Sequence, residues 1–287
     1  MSAAPAGGAA IDRVTQRWVI TTGRQIDLRD QPWLDGPVGS PDGIGGRWID
    51  DHAQRVGATL HEDPGGGLLP DLSRCDGPGF DAAALHPEVR AFYETTAAFE
   101  LDVWGRWSRW AEPGGRLLNA IFARRLRQLA LPLDPLDTAY GMTSRVATFT
   151  ADDGRHLGTA WQRALRATGA TVFGGFYGLA HLPGARRASI RVVFPLPNGS
   201  VTVLLRPDHG ADGSLRLLSP PGPFGAEGAY LIVRAPDRTH GWVRRVPLPE
   251  RFDVAVDATG TLRCHHRLWL ASLPVLQLHY RLQRSRR

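Results

Sequence analysis

Between residues 188 and 283 apolar and polar side chains alternate in a succession of short segments, and a period of two suits strands that bury one face and wet the other. Ala188, Ile190, Val192 and Phe194 fall on one side, with Ser189 and Arg191 on the other. Pro195-Leu196-Pro197-Asn198-Gly199 interrupts the run, and Asn198-Gly199 predicts a tight reversal with both residues at positive φ. Val201, Val203 and Leu205 make the return strand, Asp212-Gly213 the next turn, and the Pro- and Gly-rich run 220–228 a longer loop after Leu215 and Leu217. Strands are expected at 229–234, 242–246 and 252–256. The last two are the plainest. Leu262, Cys264, His266, Leu268 and Leu270 share a face, as do Leu276, Leu278, Tyr280 and Leu282, while Arg263, His265, Arg267, Gln277, His279 and Arg281 take the other.

Upstream the signals are more mixed. Residues 145–150, 159–165 and 171–179 read as strands, the last broken by glycines of the kind that mark bulges and bends. Pro87 and Glu88, followed by Val89, Phe92, Tyr93 and Thr96, predict a helix of about three turns. Residues 99–107 fit a strand better than a continued helix, because Gly105 and the aromatic density suit a sheet. A second helix is expected at 116–130, with Leu117, Leu118, Ile121, Phe122, Leu126 and Leu129 on one side. Closer to the start, Trp18-Val19-Ile20 and 26–28 read as strands and 47–55 as a short helix, amid the breakers of 36–46 and 63–67.

These elements specify an α+β, β-rich protein: a strongly curved antiparallel sheet or barrel of roughly nine to eleven strands, covered by two helices. Residues 1–10 are expected to be a disordered tail, 11–84 an irregular N-terminal extension packed on the main body, with Trp33 and Trp48 as anchors, and 85–287 the β-rich domain.

Charge narrows the partners less than it first suggests. The pI is near 10.1, but all 34 basic residues are Arg and none is Lys, a pattern that coding bias explains as well as selection for charge. Residues 1–100 hold 8 Arg and 15 carboxylates, whereas 101–287 hold 26 and 13, so an acidic segment precedes a basic one. Two cysteines, Cys75 and Cys264, give neither a disulfide framework nor a metal spacing and read as buried thiols. No secretory leader and no apolar run of membrane-spanning length is present, so the expected location is the cytoplasm, at the inner face of the cell membrane where contact is transient.

Function has to be read from the interior and from one surface. His266 lies in phase with apolar neighbours and leads the ligand-binding candidates, with Trp161, Arg163 and Tyr177 as further wall residues; an inward Arg requires an anionic partner such as a carboxylate or phosphate head group. A satisfied core residue is the competing reading for each. Trp104, Trp107 and Trp110 beside Arg124 and Arg125 are what a segment at a membrane interface needs, against the alternative of an ordinary amphipathic helix on a sheet. Basic residues interleaved with aromatics also suit nucleic acid, but no module signature is present and none is expected to bind. His265 and His266 point to opposite faces of a strand and cannot chelate one ion. Gly222, Gly225 and Gly228 resemble a glycine fingerprint without its strand-turn-helix context, and no G-x-S-x-G, H-E-x-x-H or C-x-x-C occurs, so no catalytic residue, metal or cofactor is assigned.

Leu85-His86-Pro87, Phe92-Tyr93-Glu94-x-Thr96, Phe194-Pro195-Leu196-Pro197, Glu227-Gly228-x-Tyr230, Leu248-Pro249-Glu250-x-Phe252, His266-x-Leu268-Trp269 and Leu278-x-Tyr280 form a set that resembles the soluble C-terminal region of YndJ-like proteins of Gram-positive bacteria, over about residue 67 to the end. Those proteins carry a multi-span membrane portion ahead of this region, and the resemblance implies a domain able to work next to a bilayer, with no activity or catalytic residues to carry over. The reading is a carrier of an apolar or amphipathic small molecule, lipid-like, that meets an anionic membrane surface transiently. An enzyme working in the same cavity and a protein-interaction module are the alternatives, and the oligomeric state is left open.

Overall fold

The computed structural model describes residues 10–40, 44, 46–113, 141–169, 171–237 and 239–285. Fourteen strands among them form one sheet: β1 Arg24–Asp27, β2 Thr59–His61, β3 Phe99–Trp107, β4 Met142–Thr150, β5 His156–Leu165, β6 Thr171–Ala180, β7 Ser189–Leu196, β8 Gly199–His209, β9 Leu215–Ser219, β10 Gly228–Arg234, β11 His240–Val246, β12 Glu250–Val256, β13 Leu262–Leu270 and β14 Leu273–Arg284. Their order is β2-β4-β5-β6-β7-β8-β9-β12-β13-β14-β3, all antiparallel, with a branch β8-β10-β11-β1. The branch arises at β8. Its residues Gly199 to Leu204 pair with β10, and from Arg206 to His209 the same edge pairs with β9.

The alternation at 188–283 is realised almost segment for segment, down to the cross-strand pairs Cys264–Tyr280 and His266–Leu278. Three expectations need correction. Fourteen strands outnumber the range foreseen, and β1 and β2 among them come from the region taken as irregular. The sheet is curved but not closed as a barrel: β3 and β4 come near each other without exchanging ladder bonds. The reversal after β7 falls one residue early, since Leu196 pairs with Gly199 and the central residues are Pro197 and Asn198 (φ 58°). Proline followed by a residue at positive φ is the pattern of a type II turn, which Pro197 imposes in place of the mirror-image turn that Asn-Gly alone favours.

Three α-helices are described: α1 Ala10–Thr22, α2 Trp48–Val56 and α3 Pro87–Glu94. The second helix expected, at 116–130, and most of the disordered tail expected at 1–10 lie outside the described residues, although Ala10 already opens α1. Trp18-Val19-Ile20, read as a strand, is helical. Gln16 and Val19 are buried, Ile20 is half-buried and Gly23 follows, an i, i+3, i+4, i+7 spacing that a β-branched pair masks in a short window. Helix α2 has Asp50 and Asp51 in its first turn, Arg55 in its last and Gly57 at φ 64° as its stop. Helix α3 starts where His86 accepts from the Glu88 N–H at 3.2 Å ahead of Pro87; it ends a turn early, where the hydroxyls of Thr95 and Thr96 bond back to the carbonyls of Ala91 and Phe92.

Both faces of the sheet are covered over β4 to β8. On the convex side α2 packs Trp48 and Ile49 on Ala147, Phe149, Ala160, Phe176 and Val193, and Leu28, Trp33 and Leu34 pack on Leu204, Tyr230 and Ile232. On the concave side Val89, Phe92 and Tyr93 of α3, with Leu68, Leu69 and Leu72, fill one part of the hollow against Trp161, Ile190 and Leu215. Phe173, Tyr177, Phe194, Val201, Leu231, Phe252 and Tyr280 border this core and are only partly buried.

Two measurements test this packing. A Cβ on Gly199 would lie 2.0 Å from the Ile232 carbonyl oxygen, so Gly199→Ala should lower the urea midpoint by the equivalent of about 1–3 kcal/mol. His52 is buried between Phe149 and Phe176 and accepts from Arg55 Nη2 at 2.5 Å; burial, then the Arg55 charge, push its pKa down from 6.5 to about 3. Unfolded His52 takes up a proton that the folded state refuses. Its stabilisation is therefore complete above about pH 6.5 and is lost as pH falls toward 3, by about 2–3 kcal/mol at two pH units below the unfolded pKa. Urea midpoints at pH 7 and pH 4.5 should draw closer together in His52→Phe.

Candidate functional site

Strands β12 and β13 carry the polar part of the concave wall. Glu250 stands in phase with Phe252, Val254 and Val256, and its diagonal neighbour across the ladder is His266. The His266 Nε2 lies 3.0 Å from Glu250 Oε2, both side chains being less than one-sixth exposed. The imidazole is stacked on Phe252 with ring centroids 3.8 Å apart and planes within 13°. A carboxylate fixes the imidazole by one nitrogen while the aromatic face fixes its plane, which leaves Nδ1 for another partner.

Opposite this pair, β5 and β6 contribute Trp161, Arg163 and Tyr177. Trp161 belongs to the packed core: its ring meets Phe173 at 5.3 Å, Tyr177 at 6.0 Å and Phe92 at 6.2 Å, and its Nε1 donates to Ser144 Oγ at 2.9 Å. Arg163 follows on the same face and is 4% exposed. Its Nη2 donates to the Leu101 carbonyl at 2.8 Å, linking β5 to β3 where no ladder joins them, and its guanidinium lies 5.6 Å from the Trp161 ring. The Nε has no acceptor among the described residues. Burial lowers the Arg163 pKa to about 10, opposed by Tyr280, Asp102 and Tyr177 nearby.

Burial also raises the phenols of Tyr93, Tyr177 and Tyr280, with Cys264 adding to each. None of the three hydroxyls has a hydrogen-bond partner among the described residues, yet Tyr177 and Tyr280 keep accessible surface. Arg163 Nε is thus the buried donor of this neighbourhood without an acceptor among the described residues, and leaving such a group unmet costs about 1–3 kcal/mol.

The sequence singled out His266, Arg163, Trp161 and Tyr177, and all four stand on the concave side. Glu250, Phe252 and Tyr280 were missed as site residues. Glu250 had a signal, an acid in phase with the apolar stripe of β12, but the strand was started two residues after it. The membrane-contact residues are less united. Trp104 and Trp107 lie on opposite faces of β3, Trp104 exposed under the Arg281 guanidinium and Trp107 paired with Leu276 against a buried apolar cluster. Trp110, 50% exposed, donates from Nε1 to the Pro274 carbonyl at 2.9 Å beside the exposed Leu270 and Leu273. Arg124 and Arg125 lie outside the described residues. No described helix is long and apolar enough to cross a membrane.

Burial pushes the Cys75 thiol up to about 12 and Cys264 upward as well. Neither is a nucleophile near neutral pH, so a disulfide reagent at pH 8 should label no thiol in the folded protein and both in denaturant.

Among curated proteins the chain is 29% identical over 217 residues to a Bacillus subtilis (strain 168) protein named Uncharacterized membrane protein YndJ. The match spans 75% of this chain and 37% of that protein, a share consistent with its C-terminal region, so the chain covers little more than a third of the length of the curated relative it matches. No protein-family model matches the chain, and no solved structure does.

Proposed function

We propose that the concave hollow binds an amphipathic, lipid-like molecule head-first, with an anionic head on Arg163 and an apolar tail along Phe173, Phe194 and Phe252. The observation that carries this reading is the buried Arg163 guanidinium, whose only described acceptor is one backbone carbonyl. A full positive charge in a low-dielectric interior calls for an anion, and a carboxylate or phosphate also accepts from the Tyr177 and Tyr280 hydroxyls. The half-buried aromatic rings around it offer the apolar surface that a tail covers, at about 25 cal/mol per Å² removed from water.

The exposed Trp110, Leu270 and Leu273 form an apolar rim with which the protein meets a bilayer to load or release that molecule. The membrane setting named for the Bacillus subtilis relative supports this rim. A second reading, general acid–base catalysis in the same hollow, is favoured by the Glu250–His266 pair, since a carboxylate-oriented imidazole is a suitable proton carrier.

Titration with oleate and with oleyl alcohol separates head from tail. Oleate should bind the tighter of the two, and Arg163→Met should weaken oleate by at least about tenfold while leaving oleyl alcohol unchanged. The same substitution should hold or raise the unfolding midpoint, because it removes a buried charge that lacks a counterion. Equal loss of both ligands, or no loss of either, would remove Arg163 as the head-group contact.

A further inference from the structure

Where β8 passes from β10 to β9, the two partners diverge and a cleft of about 890 Å³ opens on the surface, away from the Glu250–His266 pair. Arg206, just past the last β10 pairing, stands on its wall. Arg24 comes from β1, and Arg186 and Arg187 from the connection between β6 and β7. Four guanidiniums therefore line one concavity of the size that takes a small-molecule ligand.

Their partners are missing. None of the four has an ion pair or a hydrogen-bond acceptor among the described residues, and the Arg187 Nη1 is buried without one. Other arginines are paired: Arg29 with Asp27, Arg216 with Asp208, Arg234 with Asp35. The two carboxylates in the cleft are engaged elsewhere, Asp208 at 3.9 Å from Arg216 and Glu227 accepting from Ser189 Oγ at 3.3 Å. Arg24 rests over the Phe224 ring, 5.0 Å from its centroid, which holds the charge in place without neutralising it. Gly79 and Gly225 border the cleft at φ 79° and 92°, and a Cβ at either would meet nothing closer than 3.8 Å, so the loops leave the space open. The glycine-rich run 220–228, which matched no phosphate loop by its context, supplies one wall of this concavity.

We propose that this cleft binds a ligand bearing two or more phosphate groups, held by Arg24, Arg186, Arg187 and Arg206. Phosphate oxygens take the guanidinium fork in pairs, and a single carboxylate would leave most of the four charges unmet. The phosphates belong either to a free small molecule or to lipid head groups, and the two sources are separable.

The test is calorimetric titration with inorganic triphosphate at about 0.15 M salt, beside sedimentation with phosphatidylcholine vesicles with and without phosphatidic acid. Triphosphate should bind in the micromolar range. Arg186→Gln/Arg206→Gln should weaken it at least about tenfold, whereas Arg145→Gln/Arg155→Gln, which removes the same charge outside the cleft, should change it less than about twofold. Binding to phosphatidic acid vesicles with the same variant pattern, without binding to triphosphate, assigns the phosphates to lipid. Failure of both probes, or equal loss in the two double variants while melting temperatures hold, overturns the proposal.

Discussion

A buried strand has to satisfy its backbone groups along both edges, and β8 does so with β7 on one side and with two successive partners, β10 then β9, on the other. That change of partner is the constraint from which the rest follows. It sends β10, β11 and β1 outward as a branch, where the N-terminal segment packs Leu28, Trp33 and Leu34 against them. It sends β9, β12, β13, β14 and β3 around the other way, until β3 faces β4 and a hollow lies between the walls. It also leaves a wedge of space at the divergence. Gly199 is the residue on which the arrangement turns, because no side chain fits between it and β10.

Polar chemistry in the hollow is distributed unevenly. On one wall Glu250 and His266 are paired, and on the facing wall Arg163 Nε has no acceptor among the described residues. Inside a medium of low dielectric such asymmetry weakens the fold unless something else completes it. For packing alone Met or Leu would serve position 163 better, and this is the cost that the proposed anionic head group would offset.

Much of the fold was legible because strands announce themselves by a period of two. The pairs between β12, β13 and β14 follow from the phase of Phe252, His266 and Leu278 once the turns are placed. Where the pattern was short it misled. Val19 and Ile20 look like a strand fragment, and only Gln16, a polar residue that donates to the Pro197 carbonyl at 3.0 Å while buried, completes the helical face. Curvature without closure could not be read at all, because it depends on whether two distant strands exchange hydrogen bonds, and no local residue records that. The site was half visible: His266 and Arg163 stood out as polar groups in apolar company, but their partners Glu250 and the Leu101 carbonyl come from other strands, and a carbonyl has no signature in a sequence.

Strands β3 and β4 come near each other without a ladder between them, and Arg163 of β5 reaches across that gap to the Leu101 carbonyl of β3. Backbone ladders open cooperatively and at high cost, whereas a boundary without a ladder opens at lower cost. Under the proposed function that boundary is the doorway, and Arg163 stands beside it. A guest of the kind proposed, in drawing Arg163 away from the Leu101 carbonyl, would undo the latch by the same act that seats it, so that entry and recognition become a single event.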